Sequence, residues 1–394
     1  MKKYIVITGG QLFNKGAQAM TFITADEMAK RYPDKEVVLL SNMDSRRGKE
    51  EREQYTFRIQ KYPGALQLLL LKNKLTAAVL RRIGAPETKA YEALMKETAA
   101  VIDVSGYALG SNWGYKKTIF YLTRIAVARR HQIPVYLMPQ SFGPFHYKGI
   151  AAPFVKSMIR KNLRYAKEVM CREQDGYKLV HDEYGITNAT LAPDLVLQNA
   201  EIAPANVYKN VPVLWTKEIP EGSVALIPNQ KAMLYGNPEA LYEMYIKIAE
   251  TLEARQRKLW LIYHSAEDFE ICKEIRSRCS TSNVQIIEEE LSCLAFDALV
   301  KKFDFVIASR FHAVVHAYRN AVPAVVPGWA VKYRELLDLF GQGAYMFDVR
   351  SQIDADAVAA AVADMCDTYP ERKEQIRNGL IQIREKNVYD KILL

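Results

Sequence analysis

The sequence predicts an α/β protein with two Rossmann-like domains whose parallel sheets face a central cleft. Short apolar runs that end in glycine, proline or polar turns alternate with longer helical patterns, as in repeated βα units. The alternation lapses once, near the middle of the chain. The length of 394 residues also exceeds the roughly 250–300 residues that a single hydrophobic core usually organises. Ligands of such folds bind at the carboxyl ends of the strands, so we expect the functional residues in the loops there.

Six strands are predicted in each half of the chain. Those of the first half are residues 4–8, 36–40, 99–104, 134–138, 168–171 and 189–192. Those of the second half are residues 223–227, 258–263, 284–287, 303–308, 324–326 and 345–349. Helical patterns separate nearly all of them, which favours parallel pairing.

The break between the halves contains Pro204, Pro212 and Pro220, and X-Pro pairs oppose helix continuation. We therefore predict an N-terminal domain at 1–200, a linker at 201–222 and a C-terminal domain at 223–370. The segment 371–394 has a helical pattern, and packing back on the first domain is one arrangement open to it.

Composition restricts the classes of function. The formal charge of +9 favours anionic partners, but no nucleic-acid-binding module accompanies it, so we expect no nucleic acid. Five cysteines without a Cys-x-x-Cys pair are typical of a reducing compartment. The apolar runs are too short for a signal sequence or a membrane span, which predicts a cytoplasmic protein.

One segment, 54–86, is basic and amphipathic. It carries six basic residues and no acidic residue around a leucine-rich block. Two interpretations stay open: a helix that packs its leucines on the domain with its lysines in water, or peripheral contact with a membrane surface.

Polar side chains follow several strands of the first half. In the loop after the first strand, Asn14 and Gly16 belong either to a ligand-binding loop or to a plain tight turn. Asp103 ends an apolar strand, with Ser105 and Tyr107 just beyond. A buried carboxylate needs partners, so Asp103 either bonds to neighbouring backbone amides or acts as a general base or cation-orienting group.

Two more loops of the first half present candidate binding groups. Gln140 and Ser141 lie in a proline-rich and aromatic stretch that predicts a rigid wall after the fourth strand. Arg172 follows the fifth strand, and its guanidinium matches carboxylates and phosphates. The alternative for Arg172 is a surface ion pair with Glu173 or Asp175.

The strongest local pattern in the second half is Ser309-Arg310-Phe311-His312, where a strand ends and a helix begins. Arg310 and His312 would lie at a helix N-terminus, which favours anions. His316, one turn further on, is better explained as a structural residue. Weaker candidates at strand ends are Asn229, His264, Ser265 and Lys332.

These residues, taken in order, resemble the polysaccharide pyruvyl transferase family over nearly the whole chain. Supporting stretches are Asn14-Lys15-Gly16-Ala17, Pro139-Gln140-Ser141-Phe142-Gly143-Pro144, Ala192-Pro193-Asp194 and Gly328-Trp329 with Lys332-Tyr333. The resemblance implies a fold like that of B-type glycosyltransferases and no metal or other cofactor. It further implies phosphoenolpyruvate as co-substrate, bound and activated by Arg172, Arg310 and His312, with Asp103 nearby.

The implied activity is transfer of a pyruvyl group from phosphoenolpyruvate to a sugar of a surface or capsular polysaccharide precursor, with formation of a ketal. Two alternatives are a B-type glycosyltransferase with a nucleotide-sugar donor and a non-catalytic glycan-binding protein. The chain departs from the family where Ala17 and Gln18 follow Gly16 in place of acidic residues, so any role for a carboxylate there is lost. It also has Glu173 after Arg172 and Phe311 before His312, where members often have Asp and Leu, and these changes affect acceptor shape rather than reaction type. The acceptor sugar, and whether it is lipid-linked, stays open.

Overall fold

The computed structural model describes residues 2–394 and divides into two compact units. Unit 1 contains the chain up to Leu195, with Glu201–Pro212 and Asn387–Leu394. Unit 2 contains Val196–Ala200 and Val213–Lys386. The chain thus changes unit several times, where the sequence predicted one linker at 201–222.

Side-chain contacts explain these crossings. Tyr208 lies in unit 1 because its ring packs against Phe22 and Tyr55, at centroid distances of 5.5 and 5.3 Å. Asn199 lies in unit 2, where its backbone oxygen accepts a hydrogen bond from Arg319 Nε at 2.9 Å. At the chain end, the Tyr389 hydroxyl is 2.7 Å from Thr24 Oγ1 in unit 1. The last helix, by contrast, belongs to unit 2 through residue 385.

Unit 1 is built on an eight-stranded parallel sheet. Its strands are β1 Tyr4–Thr8, β2 Glu36–Leu40, β3 Arg58–Gln60, β4 Thr98–Asp103, β5 Tyr107–Leu109, β6 Val135–Phe142, β7 Glu168–Cys171 and β8 Ala189–Leu191. The order is β3-β2-β1-β4-β6-β7-β8, and β5 pairs with β6. The helices are α1 Lys15–Arg31, α2 Lys49–Glu53, α3 Ala65–Leu71, α4 Lys74–Ile83, α5 Pro86–Lys96, α6 Gly114–Arg130, α7 Ala152–Leu163 and α8 Gln174–Lys178.

Unit 2 is built on a six-stranded parallel sheet. Its strands are β9 Val224–Ile227, β10 Leu259–Ile262, β11 Val284–Ile287, β12 Val306–Ala308, β13 Ala324–Gly328 and β14 Met346–Asp348, in the order β11-β10-β9-β12-β13-β14. The helices are α9 Gln230–Tyr235, α10 Pro238–Ala254, α11 Phe269–Arg278, α12 Cys293–Val300, α13 Phe311–Arg319, α14 Val331–Leu339 and α15 Ala355–Glu385.

The predicted fold class is confirmed, because both units are doubly wound parallel sheets with helices between the strands. The central strands β1, β4, β9 and β12 are almost wholly buried, which explains their continuous apolar runs.

Three details of unit 1 differ from the prediction. The short strands β3 and β5 were not predicted. Gln140 and Ser141, expected in a loop, lie inside β6. The strand continues through Pro139 because the register with β7 shifts between Leu137 and Gln140, and such an irregularity tolerates a residue without a backbone N–H.

Two kinds of feature are absent from residues 2–394. No helix in this range is long and apolar enough to cross a membrane. Nor do His, Cys, Asp and Glu side chains in the same range form a group of three or more that could hold a metal ion.

Candidate functional site

In each unit the polar side chains gather where the strand order reverses. This point lies between β1 and β4 in unit 1, and between β9 and β12 in unit 2. The connections on its two sides leave in opposite directions, which opens a crevice at the carboxyl ends of the strands. Asp103 ends β4, and Arg310 lies just beyond the end of β12.

Asp103 is the centre of a buried hydrogen-bond network in unit 1. Its carboxylate accepts from Thr8 Oγ1 at 2.6 Å, the Ser105 amide at 3.3 Å, the Tyr121 hydroxyl at 3.3 Å and Gln140 Nε2 at 3.4 Å. These bonds compensate the cost of burying the charge. A carboxylate held by four donors is suited to orienting its neighbours, so the contacts favour the structural alternative over a general base.

The loop after β1 is shaped by close packing and by a helix cap. Gly9 has φ of 77°, and a Cβ there would lie 2.1 Å from Ser105 Oγ, so this position requires glycine. Asn14 caps α1, because its Oδ1 accepts from the Gly16 and Ala17 amides at 3.1 and 3.2 Å. The residues expected to approach a ligand therefore also fix the start of α1.

Arg172 is buried among protein acceptors. Nε donates to Glu173 Oε1 at 2.7 Å, Nη1 to Asp194 Oδ2 at 2.7 Å, and Nη2 to Ser141 Oγ at 2.6 Å. Burial opposes the charged form, but the two carboxylates outweigh it and raise the pKa of Arg172. The ion pair with Glu173 thus exists, but it is largely withdrawn from the surface, and Asp194 is a second partner that sequence reasoning did not assign.

Tyr107 braces a neighbouring loop of unit 1. Its hydroxyl donates to the Gly143 oxygen at 2.7 Å, and its ring lies 5.3 Å from that of Trp113. Tyr107 is only partly buried.

In unit 2, Arg310 is held by a bidentate ion pair with Asp268. Nε donates to Asp268 Oδ2 at 2.7 Å, and Nη2 donates to Oδ1 at 2.6 Å and to Glu267 Oε1 at 2.5 Å. Asp268 is fully buried and also accepts from the Gln230 and Ser265 amides, at 2.9 and 3.1 Å. The two carboxylates outweigh the effect of burial and raise the pKa of Arg310.

The loop that carries Arg310 is fixed through the carbonyl of Ser309. Asn229 Nδ2 and the Tyr333 hydroxyl both donate to this oxygen at 2.9 Å. Asn229 Oδ1 in turn accepts from the Lys231 amide at 2.9 Å and caps α9. Asn229, expected to bind substrate, is therefore a buried brace between the loops after β9 and β12.

His312 and Lys332 both lie close to the ring of Phe311. His312 is half-buried in the first turn of α13, with its ring 5.5 Å from the Phe311 ring. Lys332 Nζ is 4.6 Å from the centroid of the same ring, within cation–π range. An imidazole, an ammonium group and the N-terminus of a nine-residue helix are thus brought together beside Arg310.

A second histidine group lies deeper in unit 2. His264 and His316 are both buried, and their ring centroids are 6.4 Å apart. His316 Nδ1 is 2.7 Å from Asp297 Oδ1, while Asp297 also binds Arg319 and accepts from Asn320 Nδ2 at 2.9 Å. His316 is therefore part of a structural network, as expected, and His264 packs against it below the surface.

An aromatic pair, the exposed Tyr235 and the half-buried Trp329, borders the unit 2 residues. The rings of Tyr235 and Trp329 stack at 5.7 Å, and Trp329 also lies 5.3 Å from the Tyr333 ring. Tyr235 was not predicted, since a tyrosine at the end of a short helix gives no local signal.

The units therefore assemble two sets of predicted residues. Unit 1 brings together Asp103, Ser105, Gln140, Ser141 and Arg172. Unit 2 brings together Asn229, Ser265, Arg310, Phe311, His312 and Lys332. Sequence reasoning noted Asp194 in a supporting stretch but assigned it no role, and it missed Glu267 and Asp268, which are distant from Arg310 in sequence and lie in a short helical turn.

Solved structures with this overall fold act on nucleotide sugars or transfer sugars, according to their titles. A Listeria monocytogenes putative UDP-N-acetylglucosamine 2-epimerase matches with a TM-score of 0.59 at 11% identity, covering 96% of this chain and 91% of its own. The Methanocaldococcus jannaschii UDP-GlcNAc 2-epimerase gives 0.59 at 13%, covering 93% of each chain. A Rickettsia africae glycosyltransferase gives 0.54 at 10%, covering 99% and 98%. At these identities the likeness establishes the fold alone.

The fold of two Rossmann-like units is thus similar to that of B-type glycosyltransferases and of these epimerases. The family model for polysaccharide pyruvyl transferase matches residues 14–329, which is most of the chain. The chain belongs to that family. A search of curated proteins gave no match.

Proposed function

We propose that this transferase moves the pyruvyl group of phosphoenolpyruvate onto a sugar of a surface or capsular polysaccharide precursor, forming a ketal and releasing phosphate. The observation that carries the proposal is the group formed by Arg310, His312 and Lys332 at the N-terminus of α13. Phosphoenolpyruvate carries a carboxylate and a phosphate, and these cationic groups and helix amides suit such an anion.

The charges around Arg310 suggest how the donor enters. Asp268 is buried and holds one edge of the guanidinium, whereas the Glu267 side chain is 55% exposed. We propose that an anionic group of the donor replaces Glu267 beside Arg310, while Asp268 keeps the guanidinium in place. Because the carboxylates offset the positive charge of Arg310, Lys332 and the amides at the start of α13 supply the remaining attraction for the anionic donor.

His312 is the proposed proton donor. In the reaction the enol CH2 gains one proton from the imidazolium and becomes a methyl group. One sugar hydroxyl adds to the central carbon, and phosphate leaves with the proton of that hydroxyl. The second hydroxyl adds to the same carbon and returns its proton to the neutral imidazole. A bound anion favours the charged imidazole, which suits this role near neutral pH.

In unit 1 we assign Arg172 to an anionic group of the bound substrates and Asp103 to positioning. Asp103 holds Tyr121 and Gln140 in the network, and Arg172 binds Ser141. Because Glu173 bonds Arg172 in this structure, an anion at Arg172 would have to replace it, as at Glu267.

The acceptor and the place of action belong to the same proposal. We propose a cytoplasmic enzyme that needs no metal or other cofactor and acts on a lipid-linked oligosaccharide.

A binding experiment separates this function from its rival, a glycosyltransferase with a nucleotide-sugar donor. A ligand that binds only the folded protein raises its melting temperature. We expect phosphoenolpyruvate to stabilise the enzyme and the Arg310→Lys variant to require more of it, since lysine lacks the two-pronged geometry. Stabilisation by UDP-sugars or GDP-sugars but not by phosphoenolpyruvate would favour the rival. Stabilisation by glycans alone would favour a glycan-binding protein.

A further inference from the structure

The basic amphipathic segment 54–86 forms β3, α3 and α4 in unit 1, and its apolar residues divide into two sets. Leu68, Leu71, Ala77 and Leu80 are buried in the core of the unit. Leu66, Leu75, Val79 and Ile83 are 69%, 85%, 60% and 77% exposed. Packing on the domain therefore accounts for only one of the two sets.

The exposed set is organised by the geometry of α4. Leu75, Val79 and Ile83 follow one another at intervals of four, so they form one stripe along the helix. Ala77 and Leu80 lie on a different side and pack inward. The helix α4 thus has two apolar faces, and the exposed one runs along its whole length.

Basic residues border this stripe. Lys74, Arg81 and Arg82 are exposed on α4, and Lys72 lies in the turn between α3 and α4. The segment contains no acidic residue. An apolar stripe flanked by lysine and arginine is typical of helices that lie in the interface of an anionic bilayer.

The charges also argue against a second copy of the chain as the partner. In a two-fold symmetric dimer this face would meet itself, so its basic residues would face like charges across the interface. An anionic surface has the complementary charge, and its acyl region accepts the four exposed apolar side chains.

We propose that the exposed face of α4, formed by Leu75, Val79 and Ile83 with Lys74 and Arg82, binds the surface of membranes that contain anionic lipids. Leu66 of the neighbouring α3 extends the apolar area. This contact deepens the proposed function, since it would bring the enzyme to a lipid-linked acceptor, but it rests on α3 and α4 alone and can be tested without substrates.

The test is cosedimentation of the protein with vesicles of phosphatidylcholine alone or with added phosphatidylglycerol. We expect binding only to the anionic vesicles, weakened by salt. The variant Lys74→Glu/Arg82→Glu should bind at least about tenfold more weakly, because each basic residue near an anionic surface changes binding about fivefold. The variant Leu75→Ser/Val79→Ser/Ile83→Ser should show a comparable loss, because these residues supply the apolar contact.

Matched controls come from unit 2. Lys301→Glu/Lys302→Glu makes the same change of charge at an exposed site, and Leu339→Ser removes an exposed apolar residue of α14. Both controls should bind vesicles like the wild type, and all variants should melt alike.

Equal binding by the wild type and the α4 variants would overturn the proposal. A second contradicting outcome is a wild-type dimer that the triple serine variant no longer forms, with no vesicle binding by either protein. An inactive enzyme that still binds anionic vesicles through α4 would contradict the proposed function and leave the membrane contact standing.

Discussion

Arg172 and Arg310 each lie just beyond the carboxyl end of a strand of a parallel sheet, yet their places and surroundings differ. Arg310 follows β12, which borders the point where the strand order of unit 2 reverses, whereas Arg172 follows β7, two strands away from that point in unit 1. Both are bound by two carboxylates. Each arginine has one buried partner, Asp194 for Arg172 and Asp268 for Arg310. The second partners differ, because the Glu173 side chain is 12% exposed and the Glu267 side chain is 55% exposed. Only Arg310 has an imidazole and an ammonium group on the adjacent Phe311 ring.

The comparison indicates different roles for the two arginines. A charged group enclosed by buried partners contributes mainly to structure, while one with an exchangeable partner can bind a ligand. We therefore expect substitutions in the Arg310 group to act on turnover or donor binding, and substitutions at Arg172 to act first on stability.

The largest expected effect is on turnover in His312→Ala. The loss of the proton donor should lower kcat by about 10²- to 10⁴-fold, while phosphoenolpyruvate still raises the melting temperature. Steady-state kinetics and thermal shift measure the two quantities separately. His146→Ala, at an exposed loop position of unit 1, is the control and should retain full activity. A His312→Ala enzyme with near wild-type kcat would rule out the assignment.

The next largest effect is a loss of stability, which we expect to be greater in Arg172→Ala than in Arg310→Ala. Removal of Arg172 breaks its ion pairs with Glu173 and Asp194, whose side chains are 12% and 1% exposed, and loss of one partner of a buried ion pair should cost about 3–5 kcal/mol of unfolding free energy. Arg310→Ala should cost less, because water can solvate Glu267 and the buried Asp268 keeps the hydrogen bonds from the Gln230 and Ser265 amides. Denaturant unfolding of both variants tests the comparison, and equal losses would remove the distinction between the two arginines.

A third prediction concerns the pH dependence of stability in unit 2. Burial alone would raise the pKa of Asp297, but Arg319 and His316 outweigh it and lower this pKa. Because the pKa is lowered in the folded state, the Asp297 carboxylate contributes fully to stability above the ordinary Asp pKa of about 3.9. This contribution is lost as the pH falls through the pKa of the folded state. Asp297→Asn should therefore be less stable at pH 7 and lose less stability than the wild type on acidification below about pH 4. An equal fall in the unfolding free energy of both proteins over that pH range would contradict this account.

The smallest expected effect is on the donor KM in Glu267→Gln. Removal of the exchangeable negative charge should lower the KM for phosphoenolpyruvate a few-fold, with kcat unchanged, since a partly exposed pair contributes about 1 kcal/mol or less. Glu270→Gln, at an exposed position three residues further on, is the control. An unchanged or raised KM in Glu267→Gln would mean that the donor does not replace this carboxylate.

Local patterns in the sequence predicted much of the fold and part of the site. The central strands are buried on both faces, so their apolar runs stand out, and Arg310 and His312 share one short motif. Asp268, by contrast, lies 42 residues before Arg310, and nothing near either residue indicates that they pair. The network of Asp103 likewise unites β1, β4, α6 and β6, and Arg319 binds Asn199 across 120 positions. Such contacts depend on tertiary structure.

The central claim is that the three-carbon pyruvyl group of phosphoenolpyruvate is transferred to a sugar, and that the CH2 group of phosphoenolpyruvate gains a proton in the reaction. Incubation with phosphoenolpyruvate and a panel of sugar acceptors in D2O, followed by mass spectrometry and a phosphate assay, tests both parts at once. The account predicts a product heavier by one pyruvate minus one water, a single deuterium in the new methyl group, and one phosphate released for each product. Transfer of a sugar from a nucleotide donor, with phosphoenolpyruvate unconsumed, would contradict it.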